Sequence, residues 1–175
     1  IQQSDWSSDV CSSDLFLFSF YTRGMSFIDM AYLKKSDLKN GTITYRRRKT
    51  GQQLTVKWEK CMEDIIAKYG ENTATRYLLP IITNPCSDER TQYRNAICRI
   101  NVALKEVAGL AGLNIPLTMH VARHCWASVA KSKNIPLSVI SEGMGHDSEE
   151  TTRIYLASLD TSVVDKANSL ILKDF

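Results

Sequence analysis

The stretch that most constrains this chain runs from Thr118 to Leu156 (TMHVARHCWASVAKSKNIPLSVISEGMGHDSEETTRIYL). All three histidines lie in it, at 120, 124 and 146. Its punctuation predicts three helices. Thr118 is a good N-cap for the first. His120, Arg123 and His124 fall at i, i+3 and i+4 and can share one face, while Ala122, Cys125, Trp126 and Val129 read as the buried side. Asn134-Ile135-Pro136 breaks that helix, and Leu137–Met144 makes a short second one. Asp147, with Glu150 three residues on, can cap a third that carries Tyr155. A last amphipathic helix starts at Asp160, with Val163, Ala167, Leu170 and Ile171 on one side.

The rest of the chain must support that stretch. At 175 residues it can bury a core without staples. The five cysteines (11, 61, 86, 98, 125) are scattered, with no C-x-x-C and no zinc-like Cys/His spacing. They read as reduced thiols of a cytoplasmic protein. The longest apolar run, Phe16-Leu17-Phe18, extends at most to Tyr21, too short to span a membrane. No metal-ligand cluster is legible, and no cofactor is expected.

The first fifteen residues, IQQSDWSSDVCSSDL, repeat Ser-Ser-Asp and have no apolar period. Asp5–Leu15 resembles the translation of a common short-read sequencing adapter. Residues 1–15 are therefore expected to be non-native, with no role in a core, and a domain of residues 16–175 is expected to lack its natural upstream part. Without the segment three acids and no bases are lost, so the net charge rises from +3 to +6.

From Phe16 onward, residues 16–21 read as the end of a helix and Thr22-Arg23-Gly24 as a turn. Ser26, with Asp29 three residues on, predicts a capping box and a helix with Phe27, Met30 and Ala31 inward. Asn40-Gly41 signals a turn. Residues 42–47 and 54–58, separated by Lys49-Thr50-Gly51-Gln52, read as a β-hairpin. Residues 34–57 hold eight Lys or Arg against one acid, Asp37. Lys34, Lys35, Arg46, Arg47, Arg48 and Lys49 are the candidate contacts to a nucleic-acid backbone, and the turn would project Lys49 from the sheet. Met62, Ile65, Ile66 and Tyr69 have helical spacing, with Gly70 as a stop. Residues 77–82 read as strand or extended. Ser87 caps a long helix to about Ala108, with Ile97, Ile100, Leu104 and Val107 inward. The fold class is mainly α with a small antiparallel β-sheet (α+β).

Taken singly, each polar residue has a plainer reading: His120 and Arg123 as surface residues of a helix, Arg23 as a loop cation, His146 as part of a turn, Tyr155 as a half-buried aromatic. Together they suit phosphodiester chemistry. Tyrosine, with a pKa of about 10, needs a base or nearby cations to become a nucleophile. Arginines can hold the non-bridging oxygens with paired donors, and a lysine can protonate the departing oxygen.

Thr118-Met-His120-Val-Ala-Arg123-His124 resembles the T-x-H-x-x-R-H motif of the tyrosine recombinase (phage integrase) family. Gly143-Met-Gly145-His146-Asp-Ser with Thr151-Thr152-Arg153-Ile154-Tyr155 resembles its L-G-H…T-x-x-Y motif, with Gly-Met where Gly or Gln and Leu are usual. Thr22-Arg23-Gly24-Met25-Ser26 with Asp29 resembles the segment of its first arginine, although the usual Thr-Gly-Leu-Arg is not kept. Lys49-Thr50-Gly51 resembles its hairpin lysine. The wider resemblance is to integrases of mobile elements in Bacteroidetes-like bacteria. It implies a tyrosine recombinase catalytic-domain fold and a site-specific recombinase that cleaves and rejoins double-stranded DNA through a 3′-phosphotyrosine, without ATP. Tyr155 would be the nucleophile. Arg23 and Arg123 would hold the scissile phosphate, His120 would be base or proton carrier, His146 a phosphate donor, and Lys49 the general acid. The resemblance further implies a homo-oligomer, a tetramer on DNA, with residues 160–172 docking onto a neighbouring protomer; packing in cis is equally consistent with the sequence. His124 is assigned to structure.

Two other readings compete: a type IB topoisomerase with the same nucleophile, and a non-catalytic helix-turn-helix DNA-binding protein built on residues 119–144. The recombinase reading makes a spatial demand. The turn at Arg23 and the hairpin tip at Lys49 must converge on the helix face of His120 and Arg123, with residues 1–15 lying away.

Overall fold

The computed structural model describes residues 6–69 and 75–157. The chain divides after Trp126 into two units, residues 1–126 and 127–175.

The first unit opens with α1 (Trp6–Tyr21). The helix extends well before the expected Phe16. Ser12, Leu15, Phe18, Ser19 and Thr22 recur at helical spacing and are all buried. Asp14, also buried, accepts hydrogen bonds from Lys68 Nζ at 2.6 Å and the Tyr69 hydroxyl at 2.9 Å. The expectation that residues 1–15 play no part in a core therefore fails from Ser12 onward, and one helix carries the segment directly to the Arg23 turn. A polar composition hid this because the partners that satisfy Asp14 lie 54 and 55 residues away.

Helix α2 (Phe27–Ala31) starts after Ser26, as expected, but without a capping box. The Ser26 hydroxyl donates to the Asp29 carboxylate at 2.5 Å instead of accepting from the backbone. The other Asp29 oxygen accepts the Arg48 N–H at 2.8 Å, so this buried carboxylate ties α2 to the hairpin loop.

The sheet has three antiparallel strands in the order β1 (Leu38–Lys39), β2 (Thr42–Arg46) and β3 (Gln53–Lys57), one more than the hairpin expected. Asn40 and Gly41, at φ 50° and 71°, form the two-residue turn between β1 and β2. Positive φ at both positions is what a type I′ turn requires. Ile43 and Tyr45 face the core with Val56, while Thr44 and Thr55 pair across the outer face.

Helix α3 (Lys60–Lys68) sends Met62 and Ile65 inward; the predicted stop at Gly70 lies outside the described residues. Residues 77–82 form no strand beyond one bridge of Tyr77 to Lys34, yet Tyr77, Leu79 and Ile82 are fully buried. Helix α4 (Glu89–Leu110) is capped by Asp88, not Ser87: its carboxylate accepts the Thr91 N–H at 2.7 Å. Ile100 and Leu104 face inward as expected, but Ala96, Ala103 and Ala108 complete the face, and Ile97 and Val107 are only half-buried. Helix α4 packs against α1.

Helix α5 (Met119–Ser132) begins in the first unit and ends in the second. Its expected buried side is only partly observed. Ala122 is buried, Cys125 and Trp126 are half-buried, and Val129 is exposed. Arg123 is buried in their stead, at 7% exposure.

The second unit continues with α6 (Leu137–Met144) and α7 (Glu149–Ala157), which pack on each other. Asn134 at φ 56° and Gly145 at φ 63° end α5 and α6 in the left-handed conformation. Ser148, not Asp147, caps α7, its hydroxyl oxygen accepting the Thr151 N–H at 3.2 Å. The predicted helix at 160–172 lies outside the described residues. Among the described residues no helix is long and apolar enough to cross a membrane.

Candidate catalytic site

The first unit brings four of the six candidate residues together. Arg123 lies on the first turns of α5, and its Nη1 donates to the Gly24 carbonyl at 2.8 Å across 99 residues of chain. The turn and the helix meet without room to spare. A Cβ on Gly24 would lie 2.8 Å from the Arg123 Cα, and Gly24 itself sits at φ 74°. Arg23, the residue before it, holds φ 62°, a region that a non-glycine residue enters at a cost of roughly 1–3 kcal/mol. Two hydrogen bonds fix the turn from below: the Ser19 hydroxyl donates to the Met25 carbonyl and the Thr22 hydroxyl to the Phe18 carbonyl, both at 2.7 Å.

Tyr45 on β2 is buried within electrostatic range of Arg23 and Arg123. Burial, then the Asp29 carboxylate, raise its hydroxyl well above the ordinary tyrosine range, against the opposing pull of Arg47, Arg123 and Arg23. One buried phenol is thus within electrostatic reach of both candidate phosphate-holding arginines.

Lys49 is exposed in the loop between β2 and β3. The loop is closed by Arg47 N–H to the Gln52 carbonyl and Gly51 N–H to the Arg47 carbonyl, each 2.8 Å. Arg46 Nη1 donates to the Gly51 carbonyl at 2.7 Å, and the Arg48 guanidinium stacks 3.6 Å from the centre of the Tyr32 ring. Lys49 reaches far enough to act on His120. Although that residue is exposed overall, partial burial of its ring, then Arg123, then Lys49, hold its pKa below the ordinary histidine value. His120 and Arg123 border a cleft of about 370 Å³ whose other walls include Ser26, Tyr93 and Asn101.

The candidate nucleic-acid contacts divide. Lys34, Arg46, Arg48 and Lys49 are exposed and Lys35 is half-exposed. Arg47 is buried at 8% exposure, because it continues the inward alternation of Ile43 and Tyr45. It is not a surface cation.

The second unit holds the other two candidates. His146 Nδ1 and the Thr152 hydroxyl are hydrogen-bonded at 2.7 Å. The His146 and Tyr155 rings meet edge to face at 5.6 Å. Thr152 is fully buried on α7 and fixes the imidazole through one ring nitrogen. In the sequence Thr152 stands only as part of a motif, Gly24 as part of a turn and Asp29 as a cap. The signal for Thr152 was present: a hydroxyl one turn before the tyrosine, on the face that Tyr155 shares.

No curated protein sequence matches the chain. Among solved structures it is similar to XerA recombinase (TM-score 0.65, 19% identity, covering 97% of this chain and 64% of that one). It is similar also to XerH site-specific recombinase bound to palindromic difH in a post-cleavage complex (0.63, 20%, 97% and 48%), and to the catalytic domain of bacteriophage HP1 integrase (0.51, 18%, 97% and 92%). The chain spans less than two thirds of the XerA and XerH chains but nearly all of the HP1 catalytic domain. At these identities the likeness establishes the fold: a mainly helical tyrosine recombinase catalytic domain with a small antiparallel sheet. The phage integrase family matches residues 2–162, and this chain belongs to it.

Proposed function

We propose that this chain is the catalytic domain of a site-specific DNA recombinase that cuts and rejoins strands through a 3′-phosphotyrosine. The observation that carries the reading is the Arg123–Gly24 hydrogen bond. It seats two arginine-bearing segments against one another beside His120 and the loop of Lys49, a cationic pocket suited to one phosphate. Tyr155 attacks phosphorus, its proton passing to His120, and the bond to the 5′ oxygen breaks. Lys49 protonates that oxygen, and Arg23 and Arg123 hold the non-bridging oxygens with His146 as a further donor. A 5′ hydroxyl of another strand then attacks the phosphotyrosine and returns the proton to Tyr155. One phosphodiester is exchanged for another, so no ATP is consumed. Losing one positioned donor of this kind costs roughly 10²–10³ in rate.

Lys34, Lys35, Arg46 and Arg48 are proposed to grip the DNA backbone, with binding that weakens steeply with salt. The solved relatives include a lambda integrase dimer bound to a COC′ core site. We place this chain likewise in a homo-oligomer on double-stranded DNA, within a bacterial cytoplasm.

Incubation with nicked suicide substrates tests the reading. Wild-type protein is expected to form a covalent DNA adduct. Tyr155→Phe is expected to bind DNA equally well and form none; an adduct that persists in this variant removes Tyr155 from the mechanism.

A further inference from the structure

The described part of α5 presents a second imidazole that the mechanism above does not use. His124 follows His120 by one helical turn, and the two rings meet edge to face at 90° with centroids 4.4 Å apart. His124 is itself half-buried. We infer that His124 is a positioning residue: its ring fixes the direction in which the His120 imidazole faces the scissile phosphate. This rests on the reading of His120 as base or proton carrier.

Two physical effects follow from the contact. The first is geometric. A ring held against another at van der Waals distance cannot rotate about χ2, and edge-to-face aromatic contact of this kind is favourable in its own right. His120 is itself exposed in the first turn of α5, and an imidazole alone there has two roughly equivalent χ2 settings. Misaiming a proton-transfer group by about an ångström can cost on the order of a hundredfold.

The second effect is electrostatic. His120 faces Arg123 on its own helix and Lys49 from the β2–β3 loop. His124 faces His120 and Arg123, and burial, then His120, then Arg123 lower its own pKa. Burial is the largest cause that holds the His120 pKa below its ordinary value, ahead of Arg123 and Lys49, and the His124 ring packed on it keeps water from that face, so His120 favours the neutral form with a lone pair available. A neutral His120 can accept a proton from Tyr155; a charged one cannot. His124 keeps the base in its working form while Arg123 and Lys49 supply the positive charge.

The test is a pH titration of the three histidine Cε1–H signals by NMR on the full chain, assigned by single substitutions. The His120 midpoint is expected below the ordinary value in wild type and closer to it in His124→Ala. The rate of adduct formation with a nicked suicide substrate is expected to fall about ten- to hundredfold in His124→Ala. Its acid limb should move to higher pH, and His124→Phe, which keeps the ring contact, should recover most of the rate at the optimum. An unchanged His120 midpoint in His124→Ala overturns the inference. So does a Phe variant no faster than the Ala variant. If His124→Ala does not fold, as judged by circular dichroism, His124→Asn replaces it in both arms. The base reading fails separately, if His120→Ala keeps the wild-type acid limb while the wild-type His120 midpoint still responds to residue 124.

Discussion

The two units build their parts of the proposed site by opposite means. In the first, the arginines are placed by backbone. Arg123 is bound to a carbonyl 99 residues away, beside a glycine whose Cα has no room for a side chain and an arginine held at φ 62°. In the second, His146, Thr152 and Tyr155 are placed by side chains within ten residues of one another, by a hydrogen bond and a ring contact. Groups that must hold a phosphate rigidly are fixed by tertiary close packing, where any shift is resisted by the core. The proposed nucleophile and its neighbour need only the local geometry of one turn and one helix.

The difference can be broken from either side. The largest expected effect is at Gly24. Gly24→Ala combines left-handed strain of roughly 1–2 kcal/mol with overpacking of about 1–3 kcal/mol against Arg123. Gly41 provides the internal comparison, since it has a similar φ of 71° and nothing within 4 Å of a built Cβ. Gly41→Ala should cost only the strain. Thermal melts of the two variants measure the gap, and equal melting temperatures would mean that the approach of turn to helix is not tight.

A smaller effect is expected in the second unit. Thr152→Val keeps the shape and removes the hydrogen bond to His146. The loss should be about 1 kcal/mol of stability, with a several-fold slower adduct formation, and the first unit undisturbed. If Thr152→Val unfolds the chain as readily as Gly24→Ala, the contrast between the units is lost.

The smallest effect is on the pH profile. His120 and His124 both have pKa values below the ordinary 6.5 in the folded chain. As pH falls through the ordinary value the unfolded chain takes up these protons first. Stability should therefore decline below about pH 6.5, and adduct formation should persist until pH reaches the lower folded value of His120. A denaturation midpoint that rises on acidification through this window would contradict the sign.

How far the sequence foretold this depended on distance along the chain. The features legible in advance were local: the α5 break at Asn134, the extent of α6 from Leu137 to Met144, the turn at Asn40-Gly41, and the spacing of His146 and Tyr155. The long-range ones were not. Asp29 looked like a cap because Ser26 stands three residues before it, but its partner is the Arg48 N–H, 19 residues on. Residues 12–15 looked foreign to any core because the partners of Asp14 are Lys68 and Tyr69. Arg47 was grouped with the exposed cations although the alternation Ile43, Tyr45, Arg47 already pointed it inward. Strand β1 was missed because two residues carry no period. Arg123 was expected to face outward; a buried arginine is foreseen only when its acceptor is known, and the Gly24 carbonyl carries no mark in the sequence.

The segments of Arg23 and Arg123 are proposed to act as one clamp on one phosphate. A double-mutant cycle on adduct formation tests it most directly, using Arg23→Ala, Arg123→Ala and the pair. The double variant should lose little more than the worse single variant, because either loss already disables the clamp. Losses that simply multiply would show two independent cations and no shared clamp.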